Sequence, residues 1–237
     1  MEKLQKGAAG LGIILTPRQE EQFRRFFQEL VEANRRVNLT TVIDWEEVQI
    51  RHFLDSLTVN LVLSPRVLSE GKIVDIGEGA GFPGVPLKIA FPDLGLCLLE
   101  SADKKTAFLS HLVGVLDLKG VEIHTGRAEE LAHRPALRET FDGVLSRAVA
   151  KARVLAELTL PFCRLGGVCV MQKQGHIEKE LDEAEEAIRT LGGSLREIRE
   201  VAVPGLLRPR LLVVVEKVSS TPAKYPRRPG VPAKRPL

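Results

Sequence analysis

The sequence predicts an α/β protein, a parallel sheet under helices with a helical extension ahead of it, and three observations carry that prediction. Apolar residues recur at helical spacing through the first seventy positions. From Lys72 onward, short apolar runs alternate with helical stretches. The first of those runs, IVDIG, passes directly into a glycine-rich turn. Strands alternating with helical stretches are the mark of βαβ units, whose strands lie parallel.

In the extension, a first helix starts at Thr16, with Pro17 at the first helical position and Gln19 completing a capping box. Its stripe is Phe23, Phe26, Phe27, Leu30 and Val31. A second helix starts at Asp44, with Glu47 three residues on, and is expected to bury Ile50, Phe53, Leu54, Leu57 and Leu61. Its polar face sets Arg51 against Asp55 and His52 against Ser56, each pair one turn apart. Strands are expected at 72–76, 96–100, 121–124, 142–146, 167–171, 199–203 and 210–217. The chain therefore divides into a helical extension at 1–70, a sheet domain at 71–218 and a tail at 219–237. Prolines at 222, 226, 229, 232 and 236 predict that the tail is extended, without helix or sheet.

With 237 residues, 44% of them hydrophobic, the chain can bury one sizeable core. Its net charge of +3 hides an asymmetry. Lys224, Arg227, Arg228, Lys234 and Arg235 give the tail +5 with no acid, so the remainder is −2. Such a tail suits a polyanion such as nucleic acid, or simply solvation. Cys97, Cys163 and Cys169 lack CxxC spacing and sit in apolar runs, as buried thiols of a reducing compartment do. No apolar run approaches the roughly 18 residues that cross a bilayer. A cytoplasmic protein without membrane contact is expected.

The turn DIGEGAGFPG, Asp75 to Gly84, places four glycines in eight residues. Glycines there let the backbone turn sharply and approach a ligand that a side chain would block. Gly79-x-Gly81-x-x-Gly84 also fits a dinucleotide fingerprint, with Glu100 near the ribose-binding spacing, so a nicotinamide-dependent oxidoreductase stands as an alternative. Two details favour S-adenosylmethionine (SAM). Asp75 precedes the first glycine in D-x-G-x-G-x-G, and Pro83 removes a backbone donor that a pyrophosphate would use. The SAM sulfonium and ammonium suit an acid at Asp75 and an aromatic ring at Phe82, by cation–π contact or with Phe82 as core packing. Glu100, at a strand's carboxyl end, is placed to accept both ribose hydroxyls. In GRAEE, Ala128 and Glu129 fall where methyltransferases commonly meet the adenine edge, a pattern that a helix N-terminus with favourable acids shares. FDGVLSRAVA puts Ser146 and Arg147 at the switch-point crevice, Arg147 serving the site or forming an ion pair with Asp142 or Glu129. His52, His111, His124, His133 and His176 show no metal-ligand spacing, no HExxH occurs, and Ser146 lies in no nucleophile elbow. Metal and acyl-transfer chemistry are not expected. His52 alone is followed further.

Taken together, NRRVNLT at 34–40, RHFLDSL at 51–57, DIGEGAGFPGVPLKIA at 75–90, KKTAFL at 104–109, GRAEE, SRAVA and YPRRPGVPAKRPL resemble, in this order and across nearly the whole chain, the bacterial 16S rRNA guanine-N7 methyltransferases. That family is called small-subunit methyltransferase G, or glucose-inhibited division protein B. The resemblance implies a class I SAM-dependent methyltransferase fold, Rossmann-like with a mixed seven-stranded sheet, and methylation of N7 of a guanine in the 530 loop of 16S ribosomal RNA. It also implies cofactor contacts at Gly77, Phe82, Glu100, Ser101, Ala102, Ala128, Glu129 and Arg147, to which the loop itself adds Asp75 and Gly79. Glu78 stands where the family carries a small residue, Glu100 replaces an aspartate, and QKQG replaces a lysine–glycine pair around Lys173. Substrate-side candidates are Arg51, His52, Asp55, Arg147 and Lys173. For RNA contact they are Arg51, His52, Lys173, Tyr225, Arg227 and Arg228. A monomer acting on 16S rRNA or the small subunit, with SAM and no metal, is expected. An RNA-binding protein that has lost transfer activity is the alternative from another class.

Overall fold

The computed structural model describes residues 1–77, 79–147 and 150–237. Seven strands form one sheet in the order β3-β2-β1-β4-β5-β7-β6. They are β1 (Lys72–Ile76), β2 (Gly95–Glu100), β3 (Val121–Thr125), β4 (Phe141–Ser146), β5 (Cys163–Gln174), β6 (Gly193–Val201) and β7 (Arg210–Lys217). All neighbours run parallel except β7, which is antiparallel to β5 and β6. The sheet is thus the mixed seven-stranded one expected. The strand order reverses between β1 and β4, so the crevice beyond their carboxyl ends is the switch point where such sheets bind ligands. Gly77 follows β1 there, and Arg147 follows β4.

Because side chains alternate along a strand, both sheet faces are apolar and each needs its own cover. Ile73, Leu96, Leu98, Leu145 and Val170 point into one core layer, closed by α1 (Glu2–Gly10), α2 (Pro17–Asn34), the helical segment from 45 to 61, α6 (Gly84–Ala90) and α7 (Asp103–Val115). Val74, Cys97, Leu99, Val144 and Met171 point into the other. That layer is closed by α8 (Ala128–Leu131), α9 (Ala152–Thr159), α10 (Glu178–Asp182) and α11 (Glu185–Thr190). The extension therefore shares a core with the sheet. Its capping box forms as read: the Gln19 N–H donates to Thr16 Oγ1, and Gln19 Oε1 accepts from the Thr16 N–H. Gln19 Nε2 then donates to the Ile89 and Ala90 carbonyls at 2.8 and 3.0 Å, fastening α2 to the end of α6.

Three expectations are corrected. The second helix is not one α-helix. It runs as α3 (Trp45–Val48), a π-helical turn (Gln49–Leu54), α4 (Asp55–Leu57) and a 3-10 turn (Thr58–Leu61), followed by α5 (Pro65–Glu70). Arg51 pairs back to Glu47 at 3.2 Å instead of forward to Asp55, whose carboxylate is taken by Arg147 and Arg210. The sixth strand spans Gly193–Val201, not 199–203. It is an edge strand whose middle residues are largely exposed, so its apolar pattern is weak.

The tail, finally, is neither extended nor free. Arg138 donates to the Thr221 and Tyr225 carbonyls, Arg227 meets the fully buried Glu157 carboxylate at 2.6 Å, and the Gly230 N–H donates to Glu129. It ends in a short helix, α12 (Val231–Lys234), with Pro232 in its first turn, where a missing N–H costs nothing.

Candidate active site

The loop after β1 is shaped by an acid and a glycine that must touch. Asp75 Oδ2 accepts the Gly84 N–H at 2.8 Å, and a Cβ on Gly84 would stand 2.9 Å from that same oxygen. Gly81 has φ +80, which glycine adopts at least cost. Asp75 is fully buried, and Oδ1 has no hydrogen-bond partner among the described residues. Burial pushes its carboxyl up to about 7, against the opposing pulls of the Gly84 N–H and Arg147. At the end of β2, Glu100 Oε1 accepts the Ala102 N–H at 2.8 Å and lies 3.5 Å from Ser101 Oγ, while Oε2 is buried with no partner among the described residues. Buried acceptors left unpaired are costly and want a donor. Ribose hydroxyls and an ammonium group are such donors, so this acid set fits SAM. Glu129, at the start of α8, is committed through Oε1 to the tail's Gly230 N–H at 2.9 Å. Glu78 lies outside the described residues.

On the other wall, Asp55 is buried between two guanidiniums: Arg210 Nε at 2.6 Å from Oδ1 and Arg147 Nη1 at 3.5 Å from Oδ2. Burial pushes its carboxyl above the usual range, the two arginines pulling the other way. Arg147 therefore pairs with Asp55 and not with Asp142, which accepts from Arg164 and the Lys72 N–H, nor with Glu129. The Arg147 guanidinium also lies 4.7 Å from the centre of the Phe82 ring. Phe26 and His52 stack on that ring at 5.2 and 4.6 Å. The cation that Phe82 meets in the structure is thus Arg147, and its buried ring fits the core-packing alternative. The Phe82 backbone remains part of the loop.

His52 is held by both ring nitrogens. Nδ1–H donates to the Arg51 carbonyl at 3.0 Å, which leaves Nε2 to accept the Thr40 hydroxyl at 2.7 Å. Burial first, and then Arg147, pull its pKa down to about 3. The imidazole is neutral at pH 7, so it is no phosphate-binding cation. Lys173 donates to the Ala150 carbonyl and to Glu180 Oε1, at 2.5 and 2.6 Å.

These groups surround a cavity of about 690 Å³ lined by Thr40, Arg51, His52, Asp55, Arg147, Lys173, Glu180 and Arg210, among others. A smaller one, about 150 Å³, lies between Leu39, Thr40, His52 and Arg147 and the loop residues Ala80 and Phe82. The two share Thr40, His52 and Arg147. The structure thus brings Arg51, His52, Asp55, Arg147 and Lys173 together. It sets Tyr225 and Arg227 apart, Tyr225 in the core layer under α9 and Arg227 on Glu157, leaving Arg228 exposed. Sequence reasoning missed Arg210, Gln172 and Thr40. Gln172 Nε2 donates to the Asp55 carbonyl at 2.8 Å. Thr40 stands in NRRVNLT and was the one with a signal. Among the described residues, Cys97, Glu122 and His124 bring ligand-type atoms within 4.8 Å of one another, but Lys72 occupies Glu122 at 3.1 Å and burial pushes the Cys97 thiol up to about 12.

Comparison with known proteins fits this geometry. A family profile described as "GidB: rRNA small subunit methyltransferase G" matches residues 19–206. A protein called "Ribosomal RNA small subunit methyltransferase G" from Dehalococcoides mccartyi is 49% identical over the full length of both chains. The protein of that name from Roseiflexus castenholzii is 46% identical, again over both full lengths. Among solved structures, a precorrin-6y C5,15-methyltransferase from Geobacter metallireducens superposes with a TM-score of 0.51 at 15% identity, over 69% of this chain and 88% of that one. A geranyl diphosphate methyltransferase in complex with SAM gives 0.51 at 12% identity, over 70% and 86%. At such identities these two speak for the fold alone.

Proposed function

The chain belongs to the rRNA small subunit methyltransferase G family and is a SAM-dependent rRNA methyltransferase; from that premise we propose how its residues methylate N7 of a guanine in 16S rRNA. The observation that carries this reading is the pair of cavities joined at Thr40, His52 and Arg147, one against the glycine loop and one open to a larger partner. Asp75, Gly77, Gly79, the Phe82 backbone, Glu100, Ser101, Ala102, Ala128 and Glu129 hold the cofactor. SAM supplies an electrophilic methyl group on a sulfonium. Arg51, His52, Asp55, Arg147 and Lys173 receive the guanosine, and of the tail candidates Tyr225, Arg227 and Arg228 it is the exposed Arg228 that reaches phosphate, alongside the exposed Lys224, Lys234 and Arg235.

Guanine N7 carries a lone pair and is unprotonated at neutral pH, so no general base is required before the bond forms. The neutral His52 agrees with that, since its one ring proton is engaged by the Arg51 carbonyl and its other nitrogen by the Thr40 hydroxyl. What the residues provide is placement and fixed dipoles. Arg147, held by Asp55 on one side and Phe82 on another, is a rigid wall beside both reactants, since it lines both cavities. The chain acts as a monomer in the cytoplasm, where three buried free thiols stay reduced. Among the described residues no helix is long and apolar enough to cross a membrane.

Transfer of labelled methyl from SAM to small subunits that lack the modification, with mapping of the modified nucleotide, tests this. Label on a guanine N7 is expected. Label elsewhere, or none with the cofactor site filled, would remove the proposal.

A further inference from the structure

The loop between β6 and β7 has no part in the site so far, yet its construction is unusual. Val203 is buried, Leu206 packs on the core layer beneath the extension, and the Leu206 N–H donates to the Val203 carbonyl at 3.0 Å. Gly205, at φ +89, presses so closely on Ile50 that a Cβ there would stand 2.7 Å from Ile50 Cδ1. Ile50 belongs to the π-helical turn that carries Arg51 and His52. The loop is thus stapled to the substrate wall, and from this fixed base one large apolar side chain projects: Leu207, 105% exposed. Beside it a cavity of about 360 Å³ is lined by Arg51, Gln174, Leu207, Arg208 and Arg210. Arg51, Gln174 and Arg210 also line the large cavity, so the two cavities adjoin, with Leu207 on the rim of the smaller. Glu47, the acid at that rim, is spent on Arg51.

A guanine inside an A-form helix turns N7 into a deep, narrow groove that side chains do not enter. An enzyme with a concave site must therefore take an unpaired base or swing the base out of its stack, at a cost of a few kcal/mol. An apolar side chain pushed into the vacated space offsets part of that cost. We infer that Leu207 is this plug: it enters the RNA stack where the target guanosine has left, while Arg208 beside it holds the flanking phosphate. This rests on the reading of the site as one for guanine in RNA. The cationic surroundings favour a nucleic-acid strand over an apolar protein surface as the occupant.

The test is steady-state methylation of unmodified small subunits by full-length variants, with cofactor affinity measured alongside as a control for folding. L207A should lower kcat about ten- to hundredfold, the worth of one stacked base, and keep the salt dependence of RNA binding. L207M and L207F should recover most of the loss, because bulk and apolarity are what the stack requires. R208A should instead raise KM and reduce the salt slope by about one. Equal kcat for L207A and the parent chain would overturn the plug, as would a loss that L207F fails to recover. A parent chain inactive on unmodified subunits would overturn the functional reading, and the plug with it.

Discussion

The two walls of the cleft treat their charges in opposite ways. By the glycine loop, Asp75 and Glu100 are each buried with one oxygen unpartnered among the described residues. Across from them, Asp55 is shared by Arg147 and Arg210, and Lys173 is tied to Glu180. One wall waits for donors, whereas the other has already satisfied its own. Affinity for the cofactor is therefore built into buried acids. Arg147 and Arg210 on the substrate wall are both held by Asp55, and RNA must be attracted by cations nearer the surface.

The largest effects should come from breaking the satisfied wall. Asp55→Ala leaves two guanidiniums facing each other in a buried site and should destabilise the fold by about 3–5 kcal/mol. Urea unfolding measures it, and a loss below about 1 kcal/mol would show that the wall stands without its carboxylate. Arg227→Met should cost a similar amount, about 3 kcal/mol, because Glu157 is fully buried and loses its partner. The salt slope of RNA binding should stay where it is, and a flattened slope would return Arg227 to phosphate binding.

On the waiting wall, Asp75→Asn should weaken S-adenosylhomocysteine binding roughly 10- to 100-fold, the worth of a hydrogen bond to a charged group, with RNA binding retained. Asp75 also sets a pH dependence. Its folded pKa of about 7 lies above its ordinary value of 3.8, so the ionised form costs stability, and the apo protein loses stability as pH rises between those values. Cofactor binding has the opposite sign: a cationic ligand favours the carboxylate, so affinity should fall as pH drops below about 7 and binding should release a proton. Titration calorimetry in two buffers of different ionisation heat reads this directly, and no proton release near pH 7 would place the cofactor's charge elsewhere. The smallest effect belongs to the rim. Arg51→Ala breaks an exposed pair and should change stability by less than about 1 kcal/mol, yet lower the salt slope by about one.

Features written within a few residues were legible from sequence: the Thr16–Gln19 box, the glycine loop, and the strands through the fourth to within a residue. What failed depended on distance in the chain or on exposure. Arg210 meets Asp55 across 155 positions, and nothing local announces it. β6 lies at an edge and needs little apolar alternation. The tail misleads when its charges are counted without their partners. The clue was Glu157, an acid in the apolar run RVLAELTLPF, since such a residue is seldom buried unless something pairs with it.

The π turn at Gln49–Leu54 has a consequence for how the chain tolerates length change. A π turn is an α-helix carrying one residue more than its pitch accommodates. Removing one residue between Gln49 and Leu54 would let the segment relax to ordinary winding with the residues on either side kept in phase, whereas the same deletion in the regular α2 would turn one part about 100° against the other. The displacement would fall within the turn itself, on His52 against Phe82 and on Arg51 in the cavity, while α3 and α4 keep their buried faces. The turn is thus a spare residue stored at the substrate wall, and a single-codon gap there should be tolerated by the fold better than one in α2, its cost falling on the site.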